Sequence, residues 1–183
     1  VVFPAKTMIA AAMNPCKCGF FPDLGKCRCT PTQIRRYLNR VSGPFLDRID
    51  IGVEVPRQDL GMMAAEKSID EGSFPQTEQR NSSAVMRARV MEARARQEKR
   101  FADESISYNS QMTRRQIEEY CRLSGEDAVF LEKVERQQGI SARGHGKILK
   151  VARTLADLDG QAEIGRTQLA EAIGFRRFEK KYW

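Results

Sequence analysis

The chain has 183 residues, 41% hydrophobic and 30% charged, with 31 basic and 24 acidic side chains, one histidine and a net charge of +7. That length buries a real core, and the composition excludes a disordered chain, a collagen and a disulfide-dense secreted scaffold. No apolar run approaches the ~18 residues of a membrane-spanning helix, and no basic stretch followed by an apolar one opens the chain, so a cytoplasmic, non-membrane protein is expected. The basic excess lies at both ends. Residues 1–60 carry nine basic and five acidic side chains, 61–112 eight of each, and 113–183 fourteen and eleven. Such an excess suits a nucleic acid or another polyanion, and equally a basic solvated surface.

In chain order, Thr7–Met13 is an almost wholly apolar run bounded by Pro4 and Asn14-Pro15. It reads as a buried strand, although its alanines would also suit a helix. Residues 14–30 form a loop rich in Cys, Gly and Pro. Thr30-Pro31 then opens a helix, with Thr30 as N-cap and Pro31 at the first helical position. Ile34, Tyr37, Leu38 and Val41 line one side of it, with Arg35, Arg36, Asn39 and Arg40 on the other. Ser42-Gly43-Pro44 ends it, and one short turn is expected over Phe45–Arg48. Ile49, Ile51, Val53 and Val55 alternate with polar or small residues, a strand pattern closed by Pro56. With only two strand candidates, the chain reads as a fragment whose sheet partners lie upstream of residue 1. A linker follows over 61–82, with one short helix near Met62–Lys67. Five helical segments come next. They run over Ser83–Phe101, from Thr113 to about Leu123, from Ser124 to Gly139, from Ser141 with the stripe Ile148, Val151, Ala152, Leu155 and Leu158, and from Thr167. The fold class is therefore α+β: about two strands with helices, followed by a bundle of four or five helices.

Five constellations bear on chemistry. Cys16-Lys17-Cys18 and Cys27-Arg28-Cys29 are two C-x-C pairs eight residues apart, enough thiolates for a tetrahedral Zn²⁺ site or simply four reduced thiols. Asn14, at the tip of the expected strand, suits a ligand-facing amide or plain turn chemistry. Arg48, within Gly43-Pro44-Phe45-Leu46-Asp47-Arg48-Ile49-Asp50, suits an arginine finger or a surface ion pair with Asp47 or Asp50. Arg143, with Lys147, sits in the first turn of a helix, where an anion is favoured, though Gly144 and Gly146 weaken that turn. Arg87, Arg94, Arg96 and Arg100 stand with Arg89 and Lys99 against Glu92 and Glu98 on one long helix, which suits nucleic-acid phosphates or a solvated face. Cys121 reads as core packing and His145 as exposed. The motif G-x-x-x-x-G-K-[ST] occurs nowhere, and no strand ends in paired acids, so this stretch alone is not expected to hold Mg-ATP.

Three segments together resemble one family. They are Ala11-Ala12-Met13-Asn14-Pro15-Cys16 … Cys27-Arg28-Cys29-Thr30-Pro31, Ser42-Gly43-Pro44-Phe45-Leu46-Asp47-Arg48-Ile49-Asp50, and Ser141-Ala142-Arg143 with Ile148–Leu158. The chain resembles the magnesium-chelatase-like AAA+ ATPases of bacteria, in their competence-associated ComM (YifB) branch. The resemblance implies that 1–60 is the C-terminal part of an AAA+ nucleotide-binding core, 61–82 a linker and 83–183 a helical lid. It implies a ring-forming, hexameric, ATP- and Mg²⁺-dependent motor on single-stranded or branched DNA, of the branch-migration type. Asn14 would then be the sensor that positions the attacking water, Arg48 the arginine finger for a neighbouring subunit, and Arg143 the sensor arginine of the lid. A porphyrin metal-insertion ATPase and a non-catalytic zinc-stabilised DNA-binding module are the alternatives. Lys17 departs from the family's proline, and Gly144 and Gly146 from its bulkier residues.

Overall fold

The structure, a computed structural model, describes residues 7–55 and 82–176. These fall into two compact units, 7–48 and 49–176. The expected linker helix near Met62–Lys67 lies outside the described residues.

In the first unit, a loop over 14–29 leads into α1 (Pro31–Leu38) and the single turn α2 (Gly43–Leu46). Thr30 and Gln33 make a reciprocal capping box: Gln33 N–H donates to Thr30 Oγ1, and Thr30 N–H to Gln33 Oε1. Ser42 caps α2 in the same way. The apolar side of α1 faces inward at Leu38, which is buried, with Ile34 and Tyr37 half-buried beside it.

The second unit contains α3 (Ser83–Arg100), a 3₁₀ turn (Asn109–Gln111), α4 (Arg114–Tyr120), α5 (Gly125–Gln138), α6 (Ala142–Leu158) and α7 (Arg166–Gly174). Ser82, Thr113, Ser124 and Ser141 each accept an N–H three residues on, which fixes where four of these helices start. Gly139 ends α5 in the left-handed region at φ 63°, as a glycine after a helix typically does. The fifth helix starts at Arg166 rather than Thr167, with Gly165 as its cap. α6 is the hub and touches α3, α4, α7 and the 3₁₀ turn. Its Ile148, Leu149, Ala152 and Ala156 are buried among Phe101, Met112, Leu131, Ile164, Leu169 and Ile173. Cys121 belongs to this core, and burial pushes its thiol up to about 11.

The expected α+β class is not what the structure shows. Among the described residues there are helices and no strand. A strand is defined by a ladder, and neither strand candidate finds one. Thr7–Met13 is exposed throughout, with Met8 at 93% and Ile9 at 69%. Ile49–Val55 is irregular, with a bend at Asp50, and its backbone bonds go to the end of the helical unit: Gly52 N–H donates to the Phe175 carbonyl (2.9 Å), and Arg176 Nη1 to the Ile49 carbonyl (3.0 Å). Period-2 patterning thus marked an irregular arm rather than a sheet member.

Candidate metal centre and phosphate-facing residues

The loop over 14–29 is folded by its own backbone. Gly19, at φ 78°, donates to the Cys16 carbonyl (3.1 Å), and Cys27 N–H donates to the Asp23 carbonyl (2.8 Å). Asp23 also accepts from Gly25 N–H (3.0 Å). These two turns bring both C-x-C pairs to one point. Cys16 Sγ lies 3.4 Å from Cys18 Sγ and 3.8 Å from Cys27 Sγ, and Cys18 Sγ lies 3.6 Å from Cys27 Sγ. All four sulfurs, Cys29 included, fall within 4.8 Å of one another.

The geometry fits a tetrahedral ion. Zn–S bonds of ~2.3 Å at tetrahedral angles place sulfurs about 3.8 Å apart, close to the spacings found. The electrostatics agree. The backbone N–H groups of Phe20 and Arg28 bring Cys18 down to about 6. The backbone N–H of Cys29 lowers Cys27, but burial and the Cys18 and Cys16 sulfurs outweigh it and raise that thiol to about 11. Four thiolates this close ionise together only with a cation among them. Soft sulfur donors suit Zn²⁺ and not Mg²⁺, and among the described residues no other cluster of acids, histidines or cysteines could hold a metal.

Asn14 is exposed at the foot of this loop, its carboxamide packed over Gly19, where an added Cβ would lie 3.6 Å from Asn14 Cγ. Arg48, in the same unit, follows α2 and donates from Nη1 to the Pro44 carbonyl (2.5 Å). Asp50, weighed as its partner, instead pairs with Lys147 (3.0 Å) in the second unit.

In the second unit Arg143 is exposed on the first turn of α6. Gly144 beside it is needed sterically, since a Cβ there would come within 2.7 Å of Ile140 Cγ2. His145 is not free: Nδ1 lies 2.7 Å from Glu135 Oε1. The four candidate arginines of α3 divide. Arg87 is exposed, and Arg94 lies over the Tyr108 ring, 5.5 Å from its centroid. Arg96 donates to the Asp157 carbonyl (3.0 Å), and Arg100 grips the fully buried Asp157 carboxylate with both Nη atoms. Arg153 (3.2 Å) and Asn109 (2.8 Å) complete that carboxylate's shell. This buried knot joins α3, the 3₁₀ turn and α6. Asp157 is not among the candidate residues above: it lies off the stripe Ile148, Val151, Ala152, Leu155 and Leu158, and its local signal is Arg153 four residues earlier.

Comparison with known proteins identifies the lineage. Residues 80–176 match the family model for the magnesium chelatase subunit ChlI C-terminal region, and residues 1–63 match that for magnesium chelatase subunit ChlI. The chain is 40% identical over 177 residues to competence protein ComM of Haemophilus influenzae, 39% over 180 to the uncharacterized protein YifB of Escherichia coli, and 30% over 175 to the uncharacterized protein Rv2897c of Mycobacterium tuberculosis. These matches take in 96%, 98% and 96% of this chain but only 32%, 33% and 32% of the relatives, so the chain spans about a third of their length. On both family models and on these identities, it belongs to the magnesium-chelatase (ChlI) family of AAA+-related proteins.

Proposed function

We propose that the chain is the sensor and arginine-finger portion of a ComM-type AAA+ motor that couples ATP hydrolysis to movement on single-stranded or branched DNA in a homo-oligomeric, six-membered ring. The observation that carries this reading is the 40% identity to a competence protein along 96% of the chain. The reaction is in-line attack of water on the γ-phosphorus with loss of ADP. It is catalysed by positioned amides and cations rather than by a nucleophilic side chain. Asn14 would orient the water. Arg48 would reach the γ-phosphate held by a neighbouring subunit, and Arg143 the phosphates of its own. Mg²⁺, when bound with ATP, supplies charge neutralisation on the phosphates; the four-cysteine cluster, with its soft donors, does not suit it. Cys16, Cys18, Cys27 and Cys29 would hold a structural Zn²⁺. Arg87 and Arg94, with the exposed half of α3, are a candidate DNA contact.

The test uses a full-length protein that includes a Walker A motif. DNA-stimulated hydrolysis is expected to fall by ~10³-fold in Arg48→Ala with nucleotide binding retained. Mixing Arg48→Ala subunits with subunits disabled in Walker A is expected to restore part of the activity, because the finger acts across an interface. An Arg48→Ala protein with full activity would defeat the reading. The ChlI family models favour a second possibility, a metal-insertion ATPase acting on a porphyrin. Stimulation by a porphyrin-carrying partner and not by DNA would select it.

A further inference from the structure

The exposed side of α1 is basic and carries no acidic residue. Residues 7–48 hold seven basic side chains and two acidic ones, Asp23 and Asp47. Arg35, Arg36 and Arg40 are all exposed. Together with Thr32 and Asn39 they line an open groove of about 370 Å³. None of the three arginines makes an ion pair or a side-chain hydrogen bond among the described residues. Asp23 faces Lys26 (3.9 Å). In the helical unit two exposed arginines have an acid four residues away on their own helix, Arg114 with Glu118 and Arg136 with Glu132. α1 has no acid to play that part, and its start is held by the neutral Thr30–Gln33 box instead. Three like charges within six residues repel one another, so local stability does not account for them. An external anion does.

We propose that this face of α1 is a docking surface for the phosphodiester backbone of DNA. The guanidinium forks suit phosphate oxygens, and the Thr32 hydroxyl and Asn39 amide can donate to them as well. Arg35 and Arg36 lie in the last turn of α1 and Arg40 in the turn just past its C-cap Asn39, while each strand of a duplex presents a phosphate every ~3.4 Å of axis. Adjacent arginines therefore meet different phosphates. No base edge is read, so binding is independent of sequence. The inference rests on the nucleic-acid part of the function proposed above, and it moves the principal contact from α3 to the cysteine-loop unit.

The experiment is fluorescence anisotropy of the zinc-loaded chain with a labelled oligothymidine and with a labelled duplex, across a salt series. R35E/R36E/R40E is expected to lose at least tenfold in affinity, and its log-affinity against log-salt slope to flatten by about 2 units, as three lost phosphate contacts imply. R35K/R36K/R40K keeps the charge and is expected to stay within about threefold. R87E/R94E, on the secondary contact along α3, is expected to lose less than the α1 triple reversal. Circular dichroism and zinc content show that each variant is folded. The single reversals, expected to lose about two- to threefold each, serve if the triple variant does not fold. Wild-type affinity in a folded triple reversal overturns the α1 surface. If R87E/R94E carries the loss instead, DNA binding stands and the contact is on α3. If wild type binds neither DNA at 50 mM salt, both the surface and the nucleic-acid reading fall.

Discussion

The two units solve the problem of stability by different means. In residues 49–176 a hub helix buries Ile148, Leu149, Ala152 and Ala156 against four neighbouring elements, and twenty basic side chains are balanced by twenty-one acidic ones. In residues 7–48 the buried apolar residues are Cys16, Leu38 and Leu46, and the charge is strongly one-sided. A unit of about 40 residues with so small a core ordinarily needs a metal or another cross-link. The helical unit holds itself together, whereas the cysteine-loop unit is built around a site for something else. Removing that something should separate them.

The largest expected effect is therefore metal loss. Cys18→Ser, or chelation of the purified chain, should lower zinc from about one equivalent to below one half, and α1 should lose protection in hydrogen exchange, because structural zinc supplies on the order of 10 kcal/mol of folding energy. The helical unit should melt at an unchanged temperature. Loss of both units together would mean that the helical core depends on the first unit. Next comes Asp157→Ala, which leaves Arg100 and Arg153 without the carboxylate they share. Breaking a buried pair from one side costs about 3–5 kcal/mol. Urea denaturation should show that loss in the helical unit alone, with zinc content unaffected.

Legibility followed the same division. Helix starts were readable because capping is local chemistry: Thr30, Thr113, Ser124 and Ser141 cap where they were expected to. The cysteine cluster was readable because its four thiols lie within fourteen residues of one another. Strands were misread because a ladder depends on a partner that period-2 patterning does not reveal. Ile49–Val55 alternates, yet its backbone bonds to Phe175 and Arg176, more than 120 residues away in sequence. The Asp157 knot was missed for the same reason, since its partners Arg100 and Asn109 come from other elements. The sequence treats Arg96 and Arg100 as it treats Arg87, and packing alone distinguishes them.

Two glycines on α6 sharpen this contrast within one turn of helix. Sequence alone gives Gly144 and Gly146 the same cost. A Cβ on Gly144 would lie 2.7 Å from Ile140 Cγ2, whereas one on Gly146 would lie at an ordinary 3.5 Å from Ile117 Cδ1. Alanine recovers ~1 kcal/mol of helix propensity at either position, but overpacking costs about 1–3 kcal/mol at the first. Gly146→Ala should therefore stabilise the unit by up to about 1 kcal/mol, and Gly144→Ala should be neutral to destabilising by up to about 2 kcal/mol. Equal shifts in the two melting curves would mean that Ile140 can give way.

The smallest effect is an acid dependence. The Arg166 guanidinium donates to the Asp127 carboxylate, and Ser124 donates to it as well, at 3.0 Å. The bond from Arg166 holds Asp127 below the usual carboxylate range against the opposing effect of burial. A carboxyl with a lowered folded value contributes stability above its unfolded value, ~3.9, and loses it as pH falls through the folded value. Wild type should thus exceed Asp127→Asn in urea midpoint at pH 7. The gap should begin to close only below about pH 4 and vanish at lower pH. Arg166 is half-exposed, so salt should narrow the gap at neutral pH as well. A gap unchanged between pH 7 and pH 2 would show that Asp127 acts on α5 through its place in the Ser124 cap and not through its charge.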